Sequence, residues 1–207
     1  VTVRMSNWAL RSTYAGNPLY TDPAGYNHNL TFNIYGAGTG SLPGVIIATK
    51  TINSLIPWRP EADPTCPGGT AWRASNGSCY NGMAFDVVFD FSSLGIVLPE
   101  EVVFGLAFNT NTWGYNPIGV AGPYESLNFG VSAAATVGTD LDTDAVFWNT
   151  AHQPFLTTGT AGVFGQDTAW AGFVPAVQFS TTDVPEPGSL ALAGLALFGL
   201  AAVRRRR

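Results

Sequence analysis

Lysine is almost missing from this chain: Lys50 is the only one, and charged residues make up 11% of the 207. Basic residues number 9 and acidic ones 14, and four of the bases are the terminal Arg204–Arg207. Without those arginines and Glu186, five bases face thirteen acids, a formal charge of −8. A surface of that sign repels phosphate backbones, which excludes nucleic acid as a partner. Helical periodicity is also lacking. Before residue 184 no stretch of twelve or more residues repeats its apolar side chains at helical spacing. Gly, Asn, Thr and Ser are abundant instead, so polarity comes from amides and hydroxyls, as suits an exported all-β domain.

Catalytic and metal-binding signatures are equally scarce. His28 and His152 stand alone in sequence, which leaves no zinc ligand set and no nucleophile triad. No G-x-S-x-G elbow occurs. G-A-G-T-G-S-L-P-G, Gly36 to Gly44, lacks phosphate-loop spacing and precedes no helix. Glu100, Glu101 and Glu125 are the candidates for a glycosidase carboxylate pair. The first two open a strand after Pro99, where solvated acids are common, so no enzyme is expected. Asp140, Asp142 and Asp144 spell D-x-D-x-D, the start of a calcium loop. Ala145 and Ala151 stand where an EF-hand needs Gly and Glu. A looser Ca²⁺ site, with alternate carboxylates converging on a hard cation, competes there with a solvated acidic loop. No other cofactor is implied.

Cys66 and Cys79 are the only cysteines, and turn formers fill the segment between them. In an oxidising compartment the pair is expected to form a disulfide. Trp58 and Arg59, held between Pro57 and Pro60, read as a stiff presented element, and Trp72 and Arg73 lie inside the cysteine loop. Trp113 and Tyr115 occupy a further loop, Asn109 to Pro117. Together Trp58, Trp72, Trp113 and Tyr115 are candidate glycan contacts, because aromatic rings stack on sugars. Packing at a sheet edge is the competing role.

Period-two alternation organises the body. It predicts strands at Val1–Met5, Leu30–Tyr35, Val45–Ile52, Met83–Phe91, Val102–Asn109, Leu127–Val131, Val146–Trp148 and Ala171–Phe179, with Pro175 marking an edge. Asn17–Asn29 reads as loop and Ile56–Tyr80 as a long irregular region. Phe85, Val87, Phe89 and Phe91 share one face, as do Val102, Phe104, Leu106 and Phe108. These two strands are expected to pair antiparallel at the core's centre. Short strands with loops between them predict a β-sandwich of jelly-roll type over residues 1–183.

The last two dozen residues differ from all of this. Val184-Pro185-Glu186-Pro187 is followed by an apolar run, Gly188 to Val203, and then by Arg204, Arg205, Arg206 and Arg207. The run is apolar around the whole helical wheel, as in lipid or deep inside a large protein, and it has no polar stripe. At about 1.5 Å per residue it spans roughly 24 Å, against about 30 Å of bilayer core. Arginine stems can bridge the shortfall, and their charge holds that end on the cytoplasmic side. A single C-terminal transmembrane helix is therefore expected. The two prolines keep the preceding segment extended.

This tripartite tail resembles the PEP-CTERM sorting signal of Gram-negative exported proteins. The resemblance covers residues 184–207 and says nothing of the body. It implies recognition by exosortase, a membrane-embedded protease or transpeptidase, with Val184, Pro185, Glu186 and Pro187 as the sorting motif. It also implies a transient inner-membrane anchor, then the cell surface or extracellular matrix. The chain opens at Val1 with neither an initiator Met nor a basic-then-apolar leader, so a preceding export segment is expected. For the body, a structural or adhesive role with exopolysaccharide in a biofilm is the leading expectation. A carbohydrate-binding module is the alternative, and a secreted hydrolase the weakest reading.

Overall fold

Strand-forming alternation becomes two main sheets around one core. A computed structural model of the chain describes residues 1–111, 119–143, 146–149, 164–168 and 170–181. Its strands are β1 (Thr2–Asn7), β2 (Gly25–Ala37), β3 (Pro43–Pro57), β4 (Trp72–Arg73), β5 (Cys79–Tyr80), β6 (Met83–Val88) and β7 (Val102–Phe108). After them come β8 (Leu127–Phe129), β9 (Val131–Ser132), β10 (Val146–Asn149), β11 (Phe164–Asp167), β12 (Val174–Pro175) and β13 (Val177–Gln178). Between strands the only helical turns among the described residues are short 3-10 pieces. No helix among the described residues is long and apolar enough to cross a membrane. The expected C-terminal helix lies outside them.

One sheet has the order β3-β2-β7, all antiparallel. The other centres on β1, with β6 along one side. On its opposite side β1 changes partner partway along. Thr2 and Val3 pair with β13, whereas Met5 to Asn7 pair with β8. At the changeover Arg4 N–H donates to Ala176 O (2.9 Å), Gly130 N–H to Arg4 O (2.8 Å) and Ala176 N–H to Gly130 O (2.8 Å). Gly130 is needed there because a Cβ would press on Arg4 O at 2.7 Å. The chain leaving β8 and the chain approaching β13 then pair as β9 with β12, which puts Pro175 in a two-stranded sheet opposite Val131. Such a pair is all edge, where a residue without an N–H is tolerated.

Inward-facing side chains of both sheets meet in one cluster. Val3 and Met5 from β1, Val87 from β6, Phe89, and Leu30, Phe32 and Ile34 from β2 are all buried in it. Phe32 is its hub. Its ring contacts Phe89 at 5.4 Å, Phe104 at 6.0 Å, Phe179 at 6.2 Å and Phe91 at 6.3 Å between centroids. Rings at these separations add directional contact to the area they remove from water.

Several expectations from the sequence change. Met83–Phe91 and Val102–Asn109 do not pair. β6 joins β1 and β7 joins β2, so their aromatic faces meet across the core instead of side by side in one sheet. The loop expected over Asn17–Asn29 ends early, because β2 begins at Gly25. The irregular region begins later than Ile56, because β3 keeps its register with β2 as far as Pro57 opposite Gly25.

Candidate functional site

The cysteine loop closes on itself. Cys66 and Cys79 are joined by a disulfide with Cα atoms 5.8 Å apart. Arg73, one residue after Trp72 on β4, is the loop's internal tie. Its Nε lies 2.9 Å from Asp63 Oδ2, and it donates to Gly77 O (2.7 Å) and Thr65 Oγ1 (2.8 Å). Thr65 donates to the same carboxylate through its hydroxyl and its backbone N–H. These hydrogen bonds, with Arg73's charge, hold the Asp63 carboxyl below its ordinary pKa. Trp72 is half-buried, with its indole N–H on Gly82 O (3.1 Å) and its ring 5.9 Å from that of Tyr80. It leans on the sheet as much as it faces solvent.

Trp58 and Arg59 correct the sequence reading: neither is presented. Trp58 is 7% exposed, its indole N–H donates to Asp22 O (2.8 Å), and its ring packs against Tyr14, Tyr20 and Tyr26. Arg59 is 8% exposed, with its guanidinium on the carbonyls of Pro60 (3.2 Å) and Thr70 (2.5 Å). Its backbone N–H reaches Ala9 O (3.1 Å). Arg59 thus ties the cysteine loop, through Thr70, to the chain just after β1, and Trp58, enclosed by the three tyrosines, offers no ring face to a ligand. Trp113 and Tyr115 lie outside the described residues.

Of the acidic candidates, Asp142 N–H donates to Asp140 Oδ1 (3.2 Å), and Asp144 lies outside the described residues. Among the described residues no group of three or more His, Cys, Asp or Glu side chains is placed to hold a metal ion. Glu100 and Glu101 sit side by side on an exposed turn, and Glu125 is exposed on the 3-10 turn Pro123–Ser126. His28 is half-buried on β2. Its Nε2–H donates to Asn109 O (2.9 Å), and burial lowers its pKa against the opposing pull of that hydrogen bond.

A different surface emerges that no sequence motif announced. On the outer face of β2 and β3, three successive cross-strand pairs are uncharged and polar. Asn53 Nδ2 donates to Asn29 Oδ1 (2.7 Å), Thr31 and Thr51 share a hydroxyl hydrogen bond (2.8 Å), and Thr49 Oγ1 donates to Asn33 Oδ1 (2.5 Å). The ladder borders a shallow open depression that Asn27, His28 and Asn109 also line. The signal was present as N-x-N-x-T-x-N over Asn27–Asn33 and T-x-T-x-N over Thr49–Asn53. Only the antiparallel register places the two runs side by side.

The outermost part of the chain is the part with a known counterpart. Residues 183–207 match the PEP-CTERM protein-sorting motif. That motif implies a secreted, exosortase-processed surface protein. No curated protein and no solved structure matches the chain.

Proposed function

We propose that this is a surface or matrix protein whose tail is cut by exosortase and whose body acts by contact rather than catalysis. The match of residues 183–207 to the sorting motif carries the reading. In it, Gly188–Val203 is a transient inner-membrane span, and Arg204–Arg207 hold its end on the cytoplasmic side. Val184–Pro187 is the extended segment offered to the protease. Residues 1–183 then form the extracytoplasmic body, a β-sandwich of jelly-roll kind, structural or adhesive within exopolysaccharide. One observation supports a non-catalytic body: Glu100 and Glu101 share one exposed turn instead of facing each other across a cleft.

The test is fractionation and immunoblotting in a host with and without its exosortase. The expected result is a shortened, released or surface-bound body in the first case and full-length protein in the inner membrane in the second. Full-length protein in the inner membrane of both hosts would make the tail a plain anchor.

A further inference from the structure

Four regions of the body compete for a binding role. The aromatic seam at Gly82 includes Trp8, 49% exposed, and Trp72. Both indole N–H groups are bonded to the protein, to Ser6 Oγ (3.2 Å) and Gly82 O (3.1 Å). A Cβ on Gly82 would collide with Trp8 Nε1 and Cδ1, so the Trp8 ring fills the space that this glycine leaves open and thereby has a packing role. The depression beside Arg11 and Glu61 is open, and both of those side chains are exposed. The exposed Val45 and Ile46 on β3 have nothing beside them to specify an occupant. The Asn/Thr ladder of β2 and β3 remains, and its chemistry is specific.

Cross-strand polar pairs add modestly to a sheet's stability, which leaves their outward-facing groups open to a second role. Here all three rows are neutral, in a body of formal charge −8. Each pair spends one donor and one acceptor on its partner. By the inventory of amide and hydroxyl groups, the remainder points outward. Asn29 keeps its Nδ2 hydrogens, Asn53 its Oδ1 and one Nδ2 hydrogen, and Asn33 its Nδ2 hydrogens. The threonine hydroxyls keep spare lone pairs. The pair bonds also fix the rotamers, which lowers the entropy lost when a ligand is held. Alternate residues on a strand repeat at about 6.8 Å and neighbouring strands at about 4.8 Å, so the face is a regular grid roughly 14 Å long. Asn109 adds a buried side-chain Oδ1 that has no hydrogen-bond partner among the described residues, in the wall of the same depression.

We infer that this ladder, Asn29–Asn53, Thr31–Thr51 and Asn33–Thr49, is a binding face for a neutral, hydroxyl-rich polysaccharide strand. A sugar hydroxyl both donates and accepts, which matches a grid that presents both. An ionic polymer finds no counter-charge on these six side chains, and polyanions are repelled by the body as a whole. The inference deepens the matrix reading and rests on it for the identity of the natural polymer, but the binding itself is independent of the tail.

The experiment is affinity electrophoresis of the full-length chain in a polyoxyethylene detergent, whose head group carries no sugar. Native gels are cast with dextran, agarose or alginate. Wild type is compared with Thr31→Val/Thr51→Val, Asn29→Ala/Asn53→Ala and Trp8→Ala, and each variant's melting temperature is recorded. The expected result is retardation by dextran or agarose and none by alginate. Each ladder double variant should weaken the retardation by about tenfold, as loss of one or two hydrogen bonds implies, with melting unchanged within a few degrees. Trp8→Ala should bind as wild type does. The inference is overturned by no retardation in either neutral gel, by equal retardation of wild type and ladder variants, or by loss on Trp8→Ala alone. A ladder variant that melts much lower is replaced by Asn53→Asp, which keeps an acceptor and adds a charge. Retention of wild-type binding by Asn53→Asp also counts against the ladder. Sorting is read separately by fractionation, so a failed exosortase test leaves ladder-dependent binding standing, and the converse holds.

Discussion

The imidazole of His28 lies flat on the ring of Tyr124, with centroids 4.9 Å apart and planes 9° from parallel. One residue comes from β2 and the other from the 3-10 turn before β8, so the stack joins the two main sheets at one end of the core. His28 closes the arrangement by donating from Nε2 to Asn109 O at 2.9 Å.

That placement predicts a pH dependence. Burial lowers the His28 pKa below its ordinary value of 6.5. The folded state therefore binds fewer protons than the unfolded state, and stability rises with pH through this window. Stability should be full above pH about 6.5 and should fall as pH drops below it towards the folded-state value. The carboxyls of Asp63, Asp86 and Asp90 are also lowered, but their losses begin only near pH about 4. His28→Gln keeps a donor for Asn109 O without the titration. Urea unfolding between pH 7 and 5 should show a smaller decline for the variant. Identical declines would mean that His28 is not the group responsible.

Asn7 is fully buried. Its Nδ2 donates to Pro57 O (2.7 Å), and its Oδ1 accepts from Ala9 N–H (3.1 Å). Tyr26 Oη lies 3.3 Å from the same oxygen and 3.2 Å from Pro123 O, sharing one proton between them. Replacing Asn7 with Leu keeps the branched heavy-atom skeleton but strands Ala9 N–H and Pro57 O, at a cost of about 2–3 kcal/mol. Tyr26→Phe should cost about 1 kcal/mol. Equilibrium unfolding of both single variants and the double measures the coupling. A loss below about 0.5 kcal/mol for Asn7→Leu would contradict this account.

Breaking the Cys66–Cys79 bridge should lower stability by about 3 kcal/mol, the chain-entropy value for a loop of this size. Unfolding of the Cys66→Ser/Cys79→Ser variant against wild type, without reductant, checks it. An unchanged midpoint would assign the loop's rigidity to the Arg73–Asp63 network instead.

Glu186→Ala should stop processing while leaving membrane association intact, because the apolar run Gly188–Val203 does not include that residue. Immunoblots of fractionated cells should show the variant at full length in the inner membrane, body outward, in a host that trims wild type. Trimming at the wild-type rate would remove Glu186 from the recognition element.

Much of this protein was legible in its residues. Leu30, Phe32 and Ile34 alternate with polar neighbours, and all three are buried. Alternation states which face of a strand leaves water, and that is a local property of one segment. The cysteine pairing was legible because the intervening turn formers let the ends meet. The sorting motif was legible because Val184–Pro187, the apolar run and the arginines are contiguous in the sequence.

Tertiary structure decided the rest. β6 and β7 carry matching apolar faces, yet each pairs with a strand from a different part of the chain. Alternation gives the face and is blind to the partner, which is chosen by packing across the core. Trp58 looked presented between two prolines. Continuation of β3 to Pro57 carries it inward, where Tyr14, Tyr20 and Tyr26 enclose it. The Asn/Thr ladder exists only because the β2–β3 register sets Asn29, Thr31 and Asn33 opposite Asn53, Thr51 and Thr49. A slip of one residue would turn one strand's side chains to the other face and dissolve it.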